Sequence, residues 1–260
     1  MKHKIIISLF LFLAAFQSPL SAERVAFFYA LNQDLVAFEQ LAGPPVTSKK
    51  IGESTIHSYL VGKHRVYAAK MGSGCVQTAV SAQALLSLNR CDLVVSTGPA
   101  GGLEEGLEIG NWVVASKMVA FQKGIFDSSG FSLTSRSEIE LADPDLIALL
   151  PQKLPKANIA SGEVFIASDS YRRELNSLSG CSLVEMNLFG LAMTMRHHDL
   201  SGIHFRIISD FANANASADF RSFTDSYDGK GGILVHQFIS NLPSSGLSPI
   251  EYPNLRRLLE

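Results

Sequence analysis

The chain has 260 residues and a formal net charge of −2, with 22 lysine and arginine residues against 24 aspartate and glutamate residues. Hydrophobic residues make up 47% of it, charged residues make up 18%, and the mean hydropathy is +0.18. The balanced charge argues against nucleic-acid binding by a basic surface, and the hydrophobic fraction excludes a disordered chain. The length fits one α/β domain or two small ones.

The first 22 residues predict a secretory signal peptide. Lys2 and Lys4 form a positive start, residues 5–16 are almost wholly apolar, and small residues end the segment. The apolar part is shorter than the roughly 20 residues that a membrane span needs. We therefore expect residues 1–22 to be removed, and residues 23–260 to form an exported, periplasmic protein with no stable membrane span. A buried N-terminal strand or an uncleaved anchor is the alternative interpretation.

In the rest of the chain, apolar periodicity predicts alternating strands and helices. The predicted strands are residues 24–31, 54–61, 65–71, 93–95, 112–120 and 204–209. The predicted helices are residues 35–41, 75–88, 143–150, 186–195 and 232–242. The polar residues 122–137 predict a loop. Strand, helix and strand with glycine-rich exits are typical of a βαβ unit, so we expect one three-layer α/β domain.

Open α/β sheets bind ligands at the carboxyl ends of their strands. The candidate groups at these ends are Asp34, residues 72–74, residues 97–102, Phe165, residues 185–187 and residues 209–210. Asp210 follows an apolar strand, so we expect partial burial to raise its pKa, as a general acid at neutral pH requires. The alternative is a cap on the next segment. For Glu185, a charge at a helix N-terminus is the alternative.

Several other kinds of site are not indicated. Gly72 and Gly74 lack the third glycine of a dinucleotide-binding turn, no phosphate-loop lysine follows them, and no Gly-x-Ser-x-Gly segment occurs. The three cysteines allow at most one disulfide, and no C-x-x-C pair indicates structural zinc. His197 and His198 are expected at an exposed helix end, so we predict no metal site.

Four segments carry a resemblance when taken in order. They are residues 96–103 with 109–111, residues 161–166, residues 184–187 and residues 206–210. Together they resemble the nucleoside phosphorylase/nucleosidase superfamily, and especially its methylthioadenosine/S-adenosylhomocysteine nucleosidases, which include aminofutalosine nucleosidases. The resemblance extends from about residue 25 to residue 242. It implies a single three-layer αβα domain with a central mixed β-sheet.

The resemblance also implies roles for individual residues. Such enzymes cleave the N-glycosidic bond of a purine nucleoside without a cofactor, and protonation of the base at N7 makes it a better leaving group. Asp210 would be the general acid and Ser209 would orient it, while Arg206 would hold the attacking water and Asp34 would activate it. The implied substrate-binding residues are Gly101, Phe165, Ile166, Glu185, Met186, Asn187 and Phe220. Phe165 would stack on the base, Met186 would pack against the ribose, and Phe220 would border the 5′-substituent.

The sequence departs from the family pattern at several of these positions. Asn187 replaces a glutamate that accepts hydrogen bonds from the ribose hydroxyls, and Asp34 is one methylene shorter than the usual glutamate. Pro99 replaces a small polar residue, and residues 121–124 lack the family's His-Asp pair. The arginines with which phosphorylases of the superfamily hold phosphate are also absent from residues 31–34 and 96–99.

These features lead to three hypotheses. The first is an exported purine nucleosidase that hydrolyses an adenine-type nucleoside; an aminofutalosine substrate would indicate menaquinone biosynthesis. The second is a catalytically impaired nucleoside-binding or storage protein on the same fold, and the third is a phosphorylase. A small-molecule purine nucleoside is the expected ligand, and a homodimer is expected by analogy. The identity of the 5′-substituent stays open.

Overall fold

The computed structural model describes residues 24–134, 137–141 and 143–243, so the predicted signal peptide, residues 1–22, lies outside the described residues. The strands are β1 Arg24–Tyr29, β2 Thr47–Ile51, β3 Ser54–Val61, β4 His64–Lys70, β5 Leu93–Gly102, β6 Trp112–Ala120, β7 Gly124–Asp127, β8 Gly130–Leu133, β9 Glu138–Glu140, β10 Lys156–Ser161, β11 Leu183–Glu185 and β12 Ser201–Asp210. The helices are α1 Asn32–Ala42, α2 Cys75–Leu88, α3 Pro144–Ala148, α4 Asp169–Ser179, α5 Leu188–His197, α6 Ala216–Ser226 and α7 Lys230–Asn241.

The central sheet is mixed, as the family resemblance implies. Its strand order is β11-β10-β6-β12-β5-β1-β4-β3-β2, with β9 added against β6. β5 is parallel to both β1 and β12, whereas β3 is antiparallel to β4 and β12 is antiparallel to β6. Strand β11 pairs in parallel with β10 and antiparallel with the end of β5. The five strands β5, β11, β10, β6 and β12 therefore close into a ring, in which β11 is hydrogen-bonded on both sides.

Helices cover both faces of the sheet, because successive side chains of a strand point to opposite faces. In β1, Val25 and Phe27 belong to the apolar cluster that contains residues of α1 and α7. Ala26 and Phe28 belong to the opposite cluster, with residues of α2 and α5. β1 is thus buried on both faces, which explains its continuous apolar sequence. The result is the predicted three-layer arrangement.

Strand β5 is longer than the predicted strand 93–95. It continues to Gly102 because residues 96–100 pair with β12 and its last two residues pair with β11. Likewise, residues 122–137, predicted as a loop, contain the antiparallel hairpin of β7 and β8. Both differences arise from hydrogen bonds to distant or adjacent backbone that apolar periodicity does not reveal.

Helix α4, which the periodicity does not predict, lies in a polar segment. Its ends carry local signals: the Ser168 side chain caps the first turn, and Gly180 ends the helix at φ 62°. Strand β2 and helix α6 are also absent from the predicted elements. Within the described ranges, no helix combines the length and the apolar character needed to cross a membrane. Cys75, Cys91 and Cys181 are all buried, and all three are thiols rather than disulfide partners.

Candidate active site

A cavity of about 480 Å³ lies at the carboxyl ends of β5, β11 and β12. Its wall is also lined by Lys70 at the end of β4, by residues 71–74 after this strand and by residues 164–166 after β10. The sequence-predicted residues that line the cavity are Gly101, Phe165, Ile166, Glu185, Met186, Asn187, Ser209, Asp210 and Phe220. The structure thus brings together all the predicted substrate-binding residues with Ser209 and Asp210, while Asp34 and Arg206 lie outside the lining.

Asp210 is placed by an irregularity at the end of β12. Ile208 pairs with Ala100 and Asp210 pairs with Gly101, so Ser209 is an extra residue in the ladder. Such bulges redirect side chains next to functional sites. A Cβ atom on Gly101 would lie 2.7 Å from Asp210 Oδ1, so the close approach of the carboxyl group requires glycine there.

The surroundings of Asp210 suit a general acid. The carboxyl group is 2% exposed, and burial, with a smaller contribution from Asp219, raises its pKa. The Ser209 hydroxyl donates to Oδ2 at 2.8 Å, and the Ala212 N–H donates to Oδ1 at 2.9 Å; both bonds oppose the rise. The carboxyl group is therefore oriented on both oxygens and still favours the protonated form more than an exposed aspartate does.

Two aromatic rings stand at the mouth of the cavity. Phe165 follows β10, Phe220 lies on α6, and their ring centroids are 5.9 Å apart at an interplanar angle of 68°. Phe165 is 44% exposed although it lines the cavity. An exposed ring at a cavity edge offers a face on which a planar base can stack.

Arg206 does not contact the cavity. It is fully buried, and its Nη2 lies 3.1 Å from Glu185 Oε2. Its Nη1 donates to the Phe205 carbonyl at 2.8 Å and to Ser96 Oγ at 3.2 Å. The guanidinium lies behind the cavity wall and compensates the charge of Glu185, and the expectation that Arg206 holds the attacking water stays a prediction.

Glu185 holds the turn that starts α5. Its carboxylate accepts the backbone N–H groups of Asn187 and Leu188, each at 2.9 Å, in addition to Arg206. This agrees with the interpretation of Glu185 as a charge at a helix N-terminus. Glu185 also lines the cavity, so it belongs both to the buried ion pair with Arg206 and to the wall that faces a ligand.

Asp34 is the second predicted residue that the structure places elsewhere. Its side chain is buried, with Oδ1 accepting from the Tyr227 hydroxyl at 2.5 Å and Oδ2 accepting from Thr97 Oγ1 at 2.9 Å. The Gly231 N–H in turn donates to the Tyr227 oxygen at 2.8 Å. Burial raises the pKa of Asp34 to about 6, against these hydrogen bonds. The carboxyl group thus joins α1 to the start of α7 outside the cavity lining, and the expectation that Asp34 activates water stays a prediction.

The sequence assigns no role to the partners of these groups. Tyr227, Ser96 and His204 each contact residues far away in the chain; Tyr227 and Asp34 are 193 positions apart. His204 is fully buried, shares a 2.9 Å hydrogen bond with Ser96 Oγ through Nδ1, and its pKa is lowered by burial to about 3. No local pattern in the sequence signals these pairs.

The described residues contain no group of histidine, cysteine, aspartate and glutamate side chains that could hold a metal ion. His197 and His198 lie at the end of α5, as expected, and their rings contact each other with centroids 5.2 Å apart.

Two curated relatives share the name of one enzyme. A 5′-methylthioadenosine/S-adenosylhomocysteine nucleosidase of Haemophilus influenzae is 24% identical over 206 residues, which cover 75% of this chain and 90% of the relative. The enzyme of the same name from Staphylococcus saprophyticus is 27% identical over 188 residues, covering 68% and 80%.

Solved structures share the fold. A Helicobacter pylori 5′-methylthioadenosine/S-adenosylhomocysteine nucleosidase superimposes with a TM-score of 0.76 at 22% identity, covering 85% of this chain and 100% of that one. A mutant of the futalosine hydrolase of Helicobacter pylori gives the same TM-score and coverage at 21% identity. The profile of the phosphorylase superfamily matches residues 21–240, which is most of the chain. The chain therefore belongs to the phosphorylase superfamily.

Proposed function

We propose that this protein is a purine nucleosidase that hydrolyses the N-glycosidic bond of an adenine-type nucleoside and releases the free base. The observation that carries the proposal is Asp210, a buried carboxyl group with a raised pKa at a nucleoside-sized cavity, oriented by Ser209. The names of the curated relatives, methylthioadenosine/S-adenosylhomocysteine nucleosidases, support the same activity.

The cavity suggests how the bond breaks. The base stacks on Phe165, and its N7 faces Asp210, which donates a proton as the bond to the sugar lengthens. The leaving base then departs neutral, and the sugar carries oxocarbenium character until water adds to its anomeric carbon and releases a proton to solvent. General acid catalysis of this kind is worth about 10²–10⁴-fold. Ser209 and the Ala212 N–H keep the carboxyl group aimed at the base throughout.

Water rather than phosphate is the proposed nucleophile. Neither residues 31–34 nor residues 96–99 contain an arginine, and Arg206 is committed to Glu185. Bidentate capture of a phosphate dianion by arginine is therefore not available from these segments.

A nucleoside-binding protein without catalysis is the second candidate. It is favoured by the position of Asp34 outside the cavity and by the neutral Asn187 within it, since both leave the attacking water without a carboxylate base. Binding of adenine nucleosides without release of base would support this candidate.

The test is base release by residues 23–260, with methylthioadenosine, S-adenosylhomocysteine, aminofutalosine and adenosine each offered with and without phosphate. We expect release that is independent of phosphate, and the order of rates identifies the 5′-substituent. Asp210→Asn should lose about 10²–10⁴-fold in kcat, while Asp145→Asn, exposed on α3 away from the cavity, should retain it. More than a tenth of the wild-type rate in Asp210→Asn would contradict the role of Asp210.

Export to the periplasm and a homodimer are further parts of the proposal. The signal-peptide pattern of residues 1–22 supports export, which cell fractionation and the mass of the mature chain test. Val76 and Val80 support a dimer, because they lie one turn apart on α2 and are 68% and 65% exposed. Light scattering should give twice the chain mass, and Val80→Glu should shift it toward the monomer.

A further inference from the structure

We propose that Asn187 sets the sugar specificity of the cavity, by offering one neutral acceptor to a single sugar hydroxyl, so that 2′-deoxy and 3′-deoxy sugars are tolerated. The inference rests on the proposed function, in that the cavity holds a nucleoside. It goes further because it names the part of the substrate that the site does not strictly require.

The orientation of the Asn187 amide is fixed by its neighbours. Its Nδ2 lies 2.7 Å from the Gly72 carbonyl, which can only accept, so the nitrogen rather than the oxygen must be there. The same Nδ2 lies 2.7 Å from Thr78 Oγ1, whose own proton goes to the Gly74 carbonyl at 2.8 Å. Both amide protons are therefore used inside the protein.

Only the oxygen of the amide is left for a ligand. Asn187 lines the cavity, and its Oδ1 accepts no hydrogen bond from the described residues. A neutral amide oxygen accepts from a sugar hydroxyl but cannot donate to it or attract it by charge. A carboxylate at this position would bring an oxygen against the Gly72 carbonyl, so the local structure is built for an amide.

The remaining carboxylates do not replace this missing charge. The ionisable side chains in the cavity lining are Lys70, Glu185 and Asp210. Glu185 is neutralised by Arg206 and holds backbone N–H groups, and Asp210 is assigned to the base. Asp34 is held by Tyr227 outside the cavity. The sugar therefore meets no free carboxylate among the described lining residues.

The consequence is weak selection for an intact sugar. Hydrogen bonds to charged groups are about twice as strong as neutral ones, and sites built to hold a substrate hydroxyl reject analogues without it by about 10⁴–10⁵-fold. A single neutral bond is worth roughly a factor of ten or less. Removing either ring hydroxyl of the sugar should therefore cost less than about tenfold in affinity.

The experiment is calorimetric titration of adenosine, 2′-deoxyadenosine and 3′-deoxyadenosine into the Asp210→Asn protein, in which the expected loss of about 10²–10⁴-fold in kcat slows turnover during the titration. We expect each deoxynucleoside to bind less than tenfold more weakly than adenosine. When Asn187→Ala is added to this protein, the Kd values of adenosine and of at least one deoxynucleoside should come within about twofold of each other. Asn89→Ala is the matched control, because the Asn89 amide donates to the Leu85 carbonyl at the end of α2, outside the cavity lining.

The inference would be overturned if either deoxynucleoside bound more than tenfold more weakly than adenosine. It would also be overturned if Asn187→Ala left the ratios of the Kd values of the deoxynucleosides to that of adenosine unchanged. If Asn187→Ala does not fold, the affinities of the three nucleosides for the Asp210→Asn protein alone decide the question. Base release by the wild-type protein separates the two proposals. Binding as expected with no release refutes only the proposed function, and release with strong discrimination refutes only this inference. Failure of adenosine to bind overturns this inference, and it refutes the proposed function as well only if none of the four nucleosides releases its base.

Discussion

Replacing Asp34 by asparagine separates a structural role of this residue from a catalytic one. The carboxyl group is buried between α1, Thr97 and Tyr227, and its pKa rises from 3.8 to about 6 on folding. A tenfold change in an acid dissociation constant corresponds to about 1.4 kcal/mol, so the ionised form costs the folded state about 3 kcal/mol above pH 6. The asparagine side chain has the same shape and cannot ionise.

The sign of the pH dependence follows from the raised pKa. Between pH 3.8 and pH 6 the folded protein binds more protons at Asp34 than the unfolded chain does, so stability falls as pH rises. Asp34→Asn lacks this loss. Between pH 4 and pH 7, the free energy of unfolding of the variant should rise by about 2 kcal/mol relative to that of the wild type.

Urea unfolding of both proteins at pH 4, 5, 6 and 7 measures this difference. Asp145→Asn, at an exposed position on α3, should differ from the wild type by a constant amount. The reasoning would be refuted if the difference in the free energy of unfolding between Asp34→Asn and the wild type did not change with pH. It would also be refuted if the wild type gained stability relative to the variant as pH rises. Base release by Asp34→Asn should stay within about tenfold of the wild type, since the group does not line the cavity. A thousandfold loss in a stable variant would show that Asp34 reaches the substrate.

Four further changes test the site. Ser209→Ala removes a hydrogen bond that lowers the pKa of Asp210, so the loss of base release at alkaline pH should move to higher pH in a pH–rate profile. Gly101→Ala puts a methyl group against the Asp210 carboxyl, and steady-state assays should show a lower kcat with the fold retained by circular dichroism. Phe165→Ala should raise KM by roughly tenfold, because base stacking on an aromatic ring contributes about 1–3 kcal/mol. Arg206→Met leaves the Glu185 carboxylate buried without its partner, and urea unfolding should show a loss of about 3–5 kcal/mol.

The elements that sequence predicts well are those with local signals. β3, α2 and β6 have the predicted bounds, because apolar spacing sets their buried faces. The extension of β5 to Gly102 is different, since it depends on pairing with β11. The paired residues Gly102 and Leu183 are 81 positions apart in the sequence. Apolar spacing carries no information about such pairing.

The candidate site divides in the same way. Asp210 could be singled out because its position after an apolar strand itself implies burial. Asp34 and Arg206 could not be placed from their position in the sequence, because their orientation depends on Tyr227 and Glu185, which come from other parts of the chain. A strand end indicates which edge of the sheet a residue occupies, but its side chain turns toward whichever partner the fold supplies.

The ring of β5, β11, β10, β6 and β12 constrains how a ligand reaches the cavity. Gly101, Glu185 and Asp210 lie on three strands of this ring, so they cannot separate without breaking backbone hydrogen bonds between strands. Any separation of these residues therefore requires local loss of strand pairing. The aromatic mouth lies outside this ring, since Phe165 follows β10 and Phe220 belongs to α6. Substitutions of these two rings should therefore alter the passage of substrate and product without disturbing the acid below.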